Sequence, residues 1–187
     1  MADAIEVERK AWVDNTDGLA ARLDRLGAPA GAIEFRDTYF TTSDIEGYTF
    51  KRFRLRRAAD RATVTFKELL PGGDAVRERE FGVEDPEAFA ALCKLFGMRV
   101  VVDKIKRGRV WTIAPGVAVG VIRPARAELI EIVGLGRFIE IEVMVDRPDE
   151  VAEAERTITA IMNALSVPAA ALERRPYTKM LYEKGRK

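Results

Sequence analysis

The run Ile5-Glu6-Val7-Glu8-Arg9-Lys10 alternates charged and aliphatic residues with a period of two. Successive side chains of a strand point to opposite faces, so this pattern puts Glu6, Glu8 and Lys10 on one face and Ile5 and Val7 on the other. Phe138-Ile139-Glu140-Ile141-Glu142-Val143 repeats the arrangement near the other end of the chain. Two such strands can present four carboxylates to one space. Anions sharing an interior repel one another and lose hydration, so they require counter-ions, either divalent metals or fixed lysines and arginines.

The chain supplies such cations locally, since 31 basic and 30 acidic residues leave a formal charge of only +1. Whole-molecule attraction to nucleic acid or to a membrane is therefore not an available argument. With 187 residues, 48% hydrophobic and 33% charged, one globular domain spanning residues 1–187 is expected. The single cysteine, Cys93, precludes an intrachain disulfide, and its place in the apolar run from Phe89 to Phe96 marks a packed core thiol. There are no histidines. Ser-His and Cys-His catalysis, imidazole zinc sites and the usual neutral-pH acid or base are thereby excluded. Carboxylates, lysines and tyrosines must carry any chemistry. Met-Ala-Asp-Ala-Ile-Glu lacks the basic start and apolar run of a signal peptide, and no apolar stretch reaches bilayer-spanning length. The expectation is a cytoplasmic protein with no membrane association.

Along the chain, residues 4–13 read as a strand. Asn15-Thr16-Asp17 then offers helix caps before Leu19, Leu23 and Leu26, with Gly27 as the stop. Residues 32–41 form the next strand, followed by residues 50–57, in which Arg52, Arg54 and Arg56 share a face opposite Phe53 and Leu55. Residues 61–69 and 76–83 are strands joined through Pro71-Gly72-Gly73-Asp74, a hairpin signal. Asp85-Pro86 opens a helix that Gly97 closes. Strands are expected over residues 99–111, 117–122 and 127–133, and helices over residues 151–165, 168–172 and 177–182. Roughly eight strands in hairpin order predict an α+β fold, an eight-stranded antiparallel β-barrel with helices packed outside. Because several strands carry their charges on a single face, its lumen would be wet and charged.

The motifs resemble the CYTH superfamily of triphosphate tunnel metalloenzymes, which includes class IV adenylyl cyclases and thiamine triphosphatases. Glu6-Val7-Glu8-Arg9-Lys10 matches its Glu-x-Glu-x-Lys signature. Asp37-Thr38-Tyr39-Phe40, Arg54-Leu55-Arg56, Thr65-Phe66-Lys67 and the segment from Gly134-Leu135-Gly136 to Glu142 follow in the family's order. The resemblance implies an eight-stranded tunnel binding a triphosphate with Mg2+ or Mn2+. It implies Glu6, Glu8, Glu140 and Glu142 as metal ligands, and Lys10, Arg54, Arg56, Lys67, Lys104 and Lys106 as triphosphate-binding residues. It also implies Tyr39 and Lys67 as a catalytic pair. The family often has an Asp four residues before Gly-Leu-Gly, where this chain has Ile130; Glu128 on the same strand face, or Glu131 after a bulge, could substitute. Arg175-Pro176-Tyr177-Thr178-Lys179 departs from the family's Ser-Tyr pair.

Each of these residues also has a plainer reading. Acidic and basic alternations also suit solvated strand faces, and Arg107 and Arg109 offer a register competing with that of Lys104 and Lys106. Tyr39 and Phe40 read as core aromatics, and Phe40 or Tyr48 could stack on a base. Interleaved acids and bases argue against a nucleic-acid stripe. The expected function is hydrolysis of a triphosphate such as tripolyphosphate, ATP or thiamine triphosphate. The alternatives are cyclisation of ATP to cyclic AMP and pyrophosphate by a class IV adenylyl cyclase, and a non-catalytic polyphosphate- or nucleotide-binding protein. A homodimer is compatible with all three.

Overall fold

The computed structural model describes residues 5–69 and 76–185. Among them the chain forms β1 (Ile5–Trp12), α1 (Thr16–Leu26), β2 (Ala28–Thr42), β3 (Phe53–Arg57), β4 (Ala62–Leu69), β5 (Val76–Val83), α2 (Pro86–Leu95), β6 (Met98–Ile113), β7 (Ala125–Ile132), β8 (Gly136–Val145), α3 (Val151–Ala164), β9 (Leu172–Glu173) and α4 (Tyr177–Lys184). The helix boundaries follow from local chemistry. Asn15 caps α1 by accepting the Gly18 amide at 2.9 Å, and Asp85 caps α2 by accepting the amides of Glu87 and Ala88 at 3.1 and 2.9 Å. Pro86 occupies the first turn of α2, where its missing N–H costs nothing. The chain leaves α1 at Gly27, whose backbone is extended, and a Cβ there would lie 2.6 Å from the Thr112 carbonyl oxygen, so only glycine fits.

The strands join in the order β5-β4-β3-β2-β6-β7-β8-β1-β9, with antiparallel pairing in β4–β5, β3–β4, β2–β3, β7–β8, β1–β8 and β1–β9. The expected α+β class and antiparallel sheet are present. Among the described residues the strands number nine rather than eight, and their order runs from β5 to β9 without closing into a barrel.

Two further expectations are corrected. Residues 117–122 are not a strand: the Gly116 amide donates to the Val121 carbonyl at 2.7 Å, and Gly116 and Gly120 take φ of 82° and 84°, so the backbone closes into turns. Residues 168–172 do not form an α-helix. A 3-10 turn at Ala169–Ala171 leads into β9, whose Leu172 and Glu173 pair with Ala11 and Lys10 along the edge of β1. The Pro71-Gly72-Gly73-Asp74 hairpin lies outside the described residues.

The chain divides into two compact units. The first comprises Met1–Ile33 and Arg107–Arg175. Its core packs Leu19 and Leu23 of α1 and Ile158, Ile161 and Leu165 around α3 against Ala11, Ala127, Leu129, Ile139, Ile141 and Val143 of the sheet. The aliphatic halves of β1 and β8 thus face the helices, as their alternation requires, and their charged halves occupy the other face. The second unit comprises Glu34–Lys106 and Pro176–Lys187, with a core of Phe40, Leu55, Ala62, Val64, Ala90 and Cys93. Cys93 is a buried core thiol. No helix among the described residues is long and apolar enough to cross a membrane.

Ile158 is fully buried on α3. Ile158→Val, which removes one methylene and leaves a small void, is expected to cost about 1 kcal/mol in a denaturant titration. A midpoint unchanged from the parent protein would show that α3 does not pack tightly on this core.

Candidate functional site

In the first unit the carboxylates form rows across β7, β8 and β1. Arg126, Glu142 and Glu8 stand directly opposite one another, and so do Glu128, Glu140 and Lys10 in the next row. Glu173 of β9 lies on the far side of Lys10. Glu128 and Glu140 are buried, whereas Glu6 is exposed and stands opposite Met144. Like charges directly opposite each other destabilise a sheet, and cations in the same rows counter this. The Arg126 Nε donates to Glu128 Oε1 at 2.7 Å, and Lys10 Nζ lies 3.9 Å from Glu8 Oε1.

Among the described residues no three carboxylates converge into a preassembled ion site. The fit to a metal therefore rests on donor chemistry. Carboxylate oxygens, with no histidine and a single buried cysteine in the chain, suit hard cations such as Mg2+ and Mn2+. Glu8, Glu140, Glu142 and Glu128 are the residues that could hold one, with Glu6 one row beyond Glu8.

The second unit carries a basic face organised by a buried acid. Asp37, fully buried on β2, stands opposite Arg56 of β3 and accepts its guanidinium at 2.7 and 2.9 Å in a two-pronged contact. Lys104 Nζ of β6 lies 3.0 Å from the same carboxylate. Burial pushes the Asp37 carboxyl up, but the Arg56 hydrogen bonds and the Lys104, Arg56 and Arg54 charges together outweigh it and hold it at about 2. Burial works against the Arg56 charge, and its bond to Asp37 overcomes this and raises its pKa further.

In the neighbouring row Tyr39 stands opposite Arg54, and Arg54 opposite Thr65. Arg54 Nη2 donates to Thr65 Oγ1 at 2.9 Å, while the buried Arg54 Nε has no hydrogen-bond partner. Lys104 lies over the rings of Tyr39 and Tyr177, each at 5.9 Å. The Arg54 and Arg56 guanidinium groups of β3 and the Lys104 ammonium of β6, gathered around one buried carboxylate, form an arrangement suited to phosphate oxygens.

The expected site residues thus fall into two groups, Glu6, Glu8, Lys10, Glu140 and Glu142 in one unit and Tyr39, Arg54, Arg56, Lys104 and Lys106 in the other. Lys67 belongs to β4, where it stands opposite Glu78 of β5; its side chain lies outside the described residues. Alternation along β6 puts Lys104 and Lys106 on the face opposite Arg107 and Arg109, and Arg107 is engaged by Glu131 at 2.8 Å. The β7–β8 register is regular through Glu131, so Glu131 belongs to the other face and Glu128 is the carboxylate that lies beside Glu140.

Phe40 is buried in the second core and cannot stack on a base. Tyr48 meets Phe50 edge-on and Tyr182 at a tilt, and lies under Arg52. Sequence reasoning assigned no role to Asp37 or Arg126. The signal for Asp37 was an acid among aromatic residues on the strand that precedes the arginine-rich one. A cavity of about 580 Å³ along α3, lined by Arg9, Glu155, Arg156 and Thr159, opens on the helix-bearing side of β1 and not on its carboxylate face.

Residues 4–177 match the CYTH domain. The chain belongs to the CYTH family. The matched span draws on both compact units. No curated protein is similar enough to match. Among solved structures, this CYTH chain resembles the PH1012 protein from Pyrococcus horikoshii OT3, with 25% identity, a TM-score of 0.73, and coverage of 95% of this chain and 99% of the other. It also resembles a candidate adenylate cyclase from Vibrio parahaemolyticus, at 18% identity and a TM-score of 0.73 over 94% and 97% of the two chains. A candidate adenylate cyclase from Bacillus halodurans matches at 16% identity and a TM-score of 0.61 over 97% and 100%. At these last two identities the likeness is one of fold.

Proposed function

We propose that this CYTH protein is a divalent-metal-dependent enzyme acting on a triphosphate, with hydrolysis of the terminal phosphate as its reaction. What carries the reading is that one CYTH chain holds both facing carboxylates, at Glu8–Glu142 and Glu128–Glu140, and a cation cluster anchored by Asp37. Glu6, Glu8, Glu140 and Glu142, joined by Glu128, serve as ligands. A bound Mg2+ or Mn2+ would supply Lewis-acid polarisation of phosphate oxygens. Lys10, Arg54, Arg56, Lys67, Lys104 and Lys106 hold the phosphate oxygens and neutralise the charge that develops on the leaving group. Asp37 keeps Arg56 and Lys104 in place before substrate arrives, which lowers the ordering cost of binding. Tyr39 and Lys67 orient the attacking water, with Lys67 as its base when neutral.

The test is a panel of tripolyphosphate, ATP and thiamine triphosphate, with Mg2+ or Mn2+, resolving phosphate, pyrophosphate and cyclic AMP. Phosphate release that stops in chelator and returns with metal is expected. Full turnover by metal-free protein in chelator would end the reading. The Asp-Thr-Tyr-Phe segment and the two candidate cyclases of the same fold favour a second reaction, cyclisation of ATP. Cyclic AMP and pyrophosphate as main products would establish that chemistry instead. Tight binding of triphosphate with no turnover would point to a non-catalytic binder.

A further inference from the structure

One row beyond Lys10, Glu140 and Glu128, the same strand face changes character. Trp12, Phe138 and Ile130 stand directly opposite one another on β1, β8 and β7. Phe138 and Ile130 are 0% and 2% exposed, yet Trp12 keeps 37% of its surface open. The indole rests on Phe138 with ring centroids 4.2 Å apart. Its Nε1 donates to Glu173 Oε2 at 3.3 Å, and Arg175 grips Glu173 through bonds of 3.0 and 2.7 Å. Gly136 lies against the six-membered ring, and a Cβ there would come within 3.1 Å of Trp12 Cζ3. The ring is held by its neighbours while over a third of the residue's surface stays open. A large aromatic fixed in this way is a preformed stacking surface, because its rotamer freedom is already spent before a ligand arrives.

We propose that Trp12 is the platform on which the flat heteroaromatic group of an organic triphosphate stacks, so that the site favours such substrates over inorganic polyphosphate. This rests on the triphosphate reading given above. Trp12 lies on the charged face of β1, two residues beyond Lys10 and four beyond Glu8. At about 3.4 Å per residue, the ring sits roughly 7 Å from the Lys10 row and roughly 14 Å from the Glu8 row. A ligand whose phosphates are held by Lys10 and by a cation bound at the carboxylate rows could extend its organic end along this face toward the indole. Ile130 fits this arrangement, since it puts an apolar side chain beside Phe138 at the end of the face that meets the organic ring. The indole N–H is already engaged by Glu173, so recognition falls to the π face, which accepts many heteroaromatic rings.

The test measures affinities of wild type, Trp12→Leu and Trp12→Phe for ATP, thiamine triphosphate and inorganic tripolyphosphate by calorimetry with Mg2+. Trp12→Leu is expected to lower the preference for at least one organic triphosphate over tripolyphosphate by about tenfold, equivalent to about 1.4 kcal/mol, and Trp12→Phe to recover most of it. A loss confined to ATP identifies a purine-like base, and one confined to thiamine triphosphate identifies that ring system. Tryptophan emission gives a readout that does not depend on the leucine variant folding. The only other tryptophan, Trp111, is buried, so quenching by the organic ligand should occur in wild type and vanish in Trp12→Phe. Equal weakening of all three ligands, or none, with no quenching, overturns the platform and leaves the phosphate site standing. Wild type that binds no triphosphate at all overturns the underlying reading and the platform with it.

Discussion

Asp37→Ala is expected to lower stability by about 3–5 kcal/mol, because it strands Arg56 and Lys104 beside each other without the buried anion that both contact. Asp37→Asn keeps the shape and removes the charge, and it isolates the pH dependence. The Asp37 carboxyl is held at about 2 in the fold, well below its ordinary value, so the unfolded chain takes up the proton first as pH falls. Its contribution, about 2–3 kcal/mol, is therefore fully present above pH ~4 and is lost as pH falls through about 2. Denaturant midpoints should show the gap between wild type and Asp37→Asn constant near neutrality and shrinking between pH ~4 and ~2. A gap that widens on acidification would mean that Asp37 is not the paired, ionised group of this cluster. Added tripolyphosphate should raise the melting temperature of wild type more than that of Asp37→Ala, since Arg56 and Lys104 lose the carboxylate that holds them ready for the anion.

Gly108→Ala should be comparably severe, for a reason of space. A Cβ on Gly108 of β6 would lie 2.2 Å from the Leu129 carbonyl oxygen and 2.7 Å from the Ile130 Cα on β7, and both are backbone atoms that cannot swing aside. The two strands would have to part beside Glu128 and the apolar row. A loss of at least about 3 kcal/mol is expected, above the ordinary cost of an overpacked methyl. Far-UV circular dichroism and denaturant melting would measure it. An alanine variant as stable as the parent would show that β6 and β7 do not approach so closely.

The alternation in Ile5–Lys10 and in residues 138–143 was enough, without coordinates, to separate charged from aliphatic faces, because the two-residue period of a strand is a property of the local backbone. Helix starts at Asn15 and Asp85 were legible for the same reason, since a cap is a contact over two or three residues. The basic character of Arg54 and Arg56 and the family membership, carried by motifs in order, were legible as well.

What lies opposite what was not legible, because register depends on pairing between strands far apart in the chain. Only the tertiary structure put Glu128 beside Glu140 and turned Glu131 away, and only it carried Asp37 into contact with Arg56 and Lys104. Residues 117–122 alternate as a strand would, yet they close into turns through their own hydrogen bonds, while the short Leu172–Glu173 segment is a strand only because β1 offers it an edge. Trp12 reads in sequence as one more strand aromatic. Its footing on Phe138 and its tether to Glu173 exist only where distant strands meet, since stacking and hydrogen bonding act over a few ångströms of space irrespective of separation along the chain.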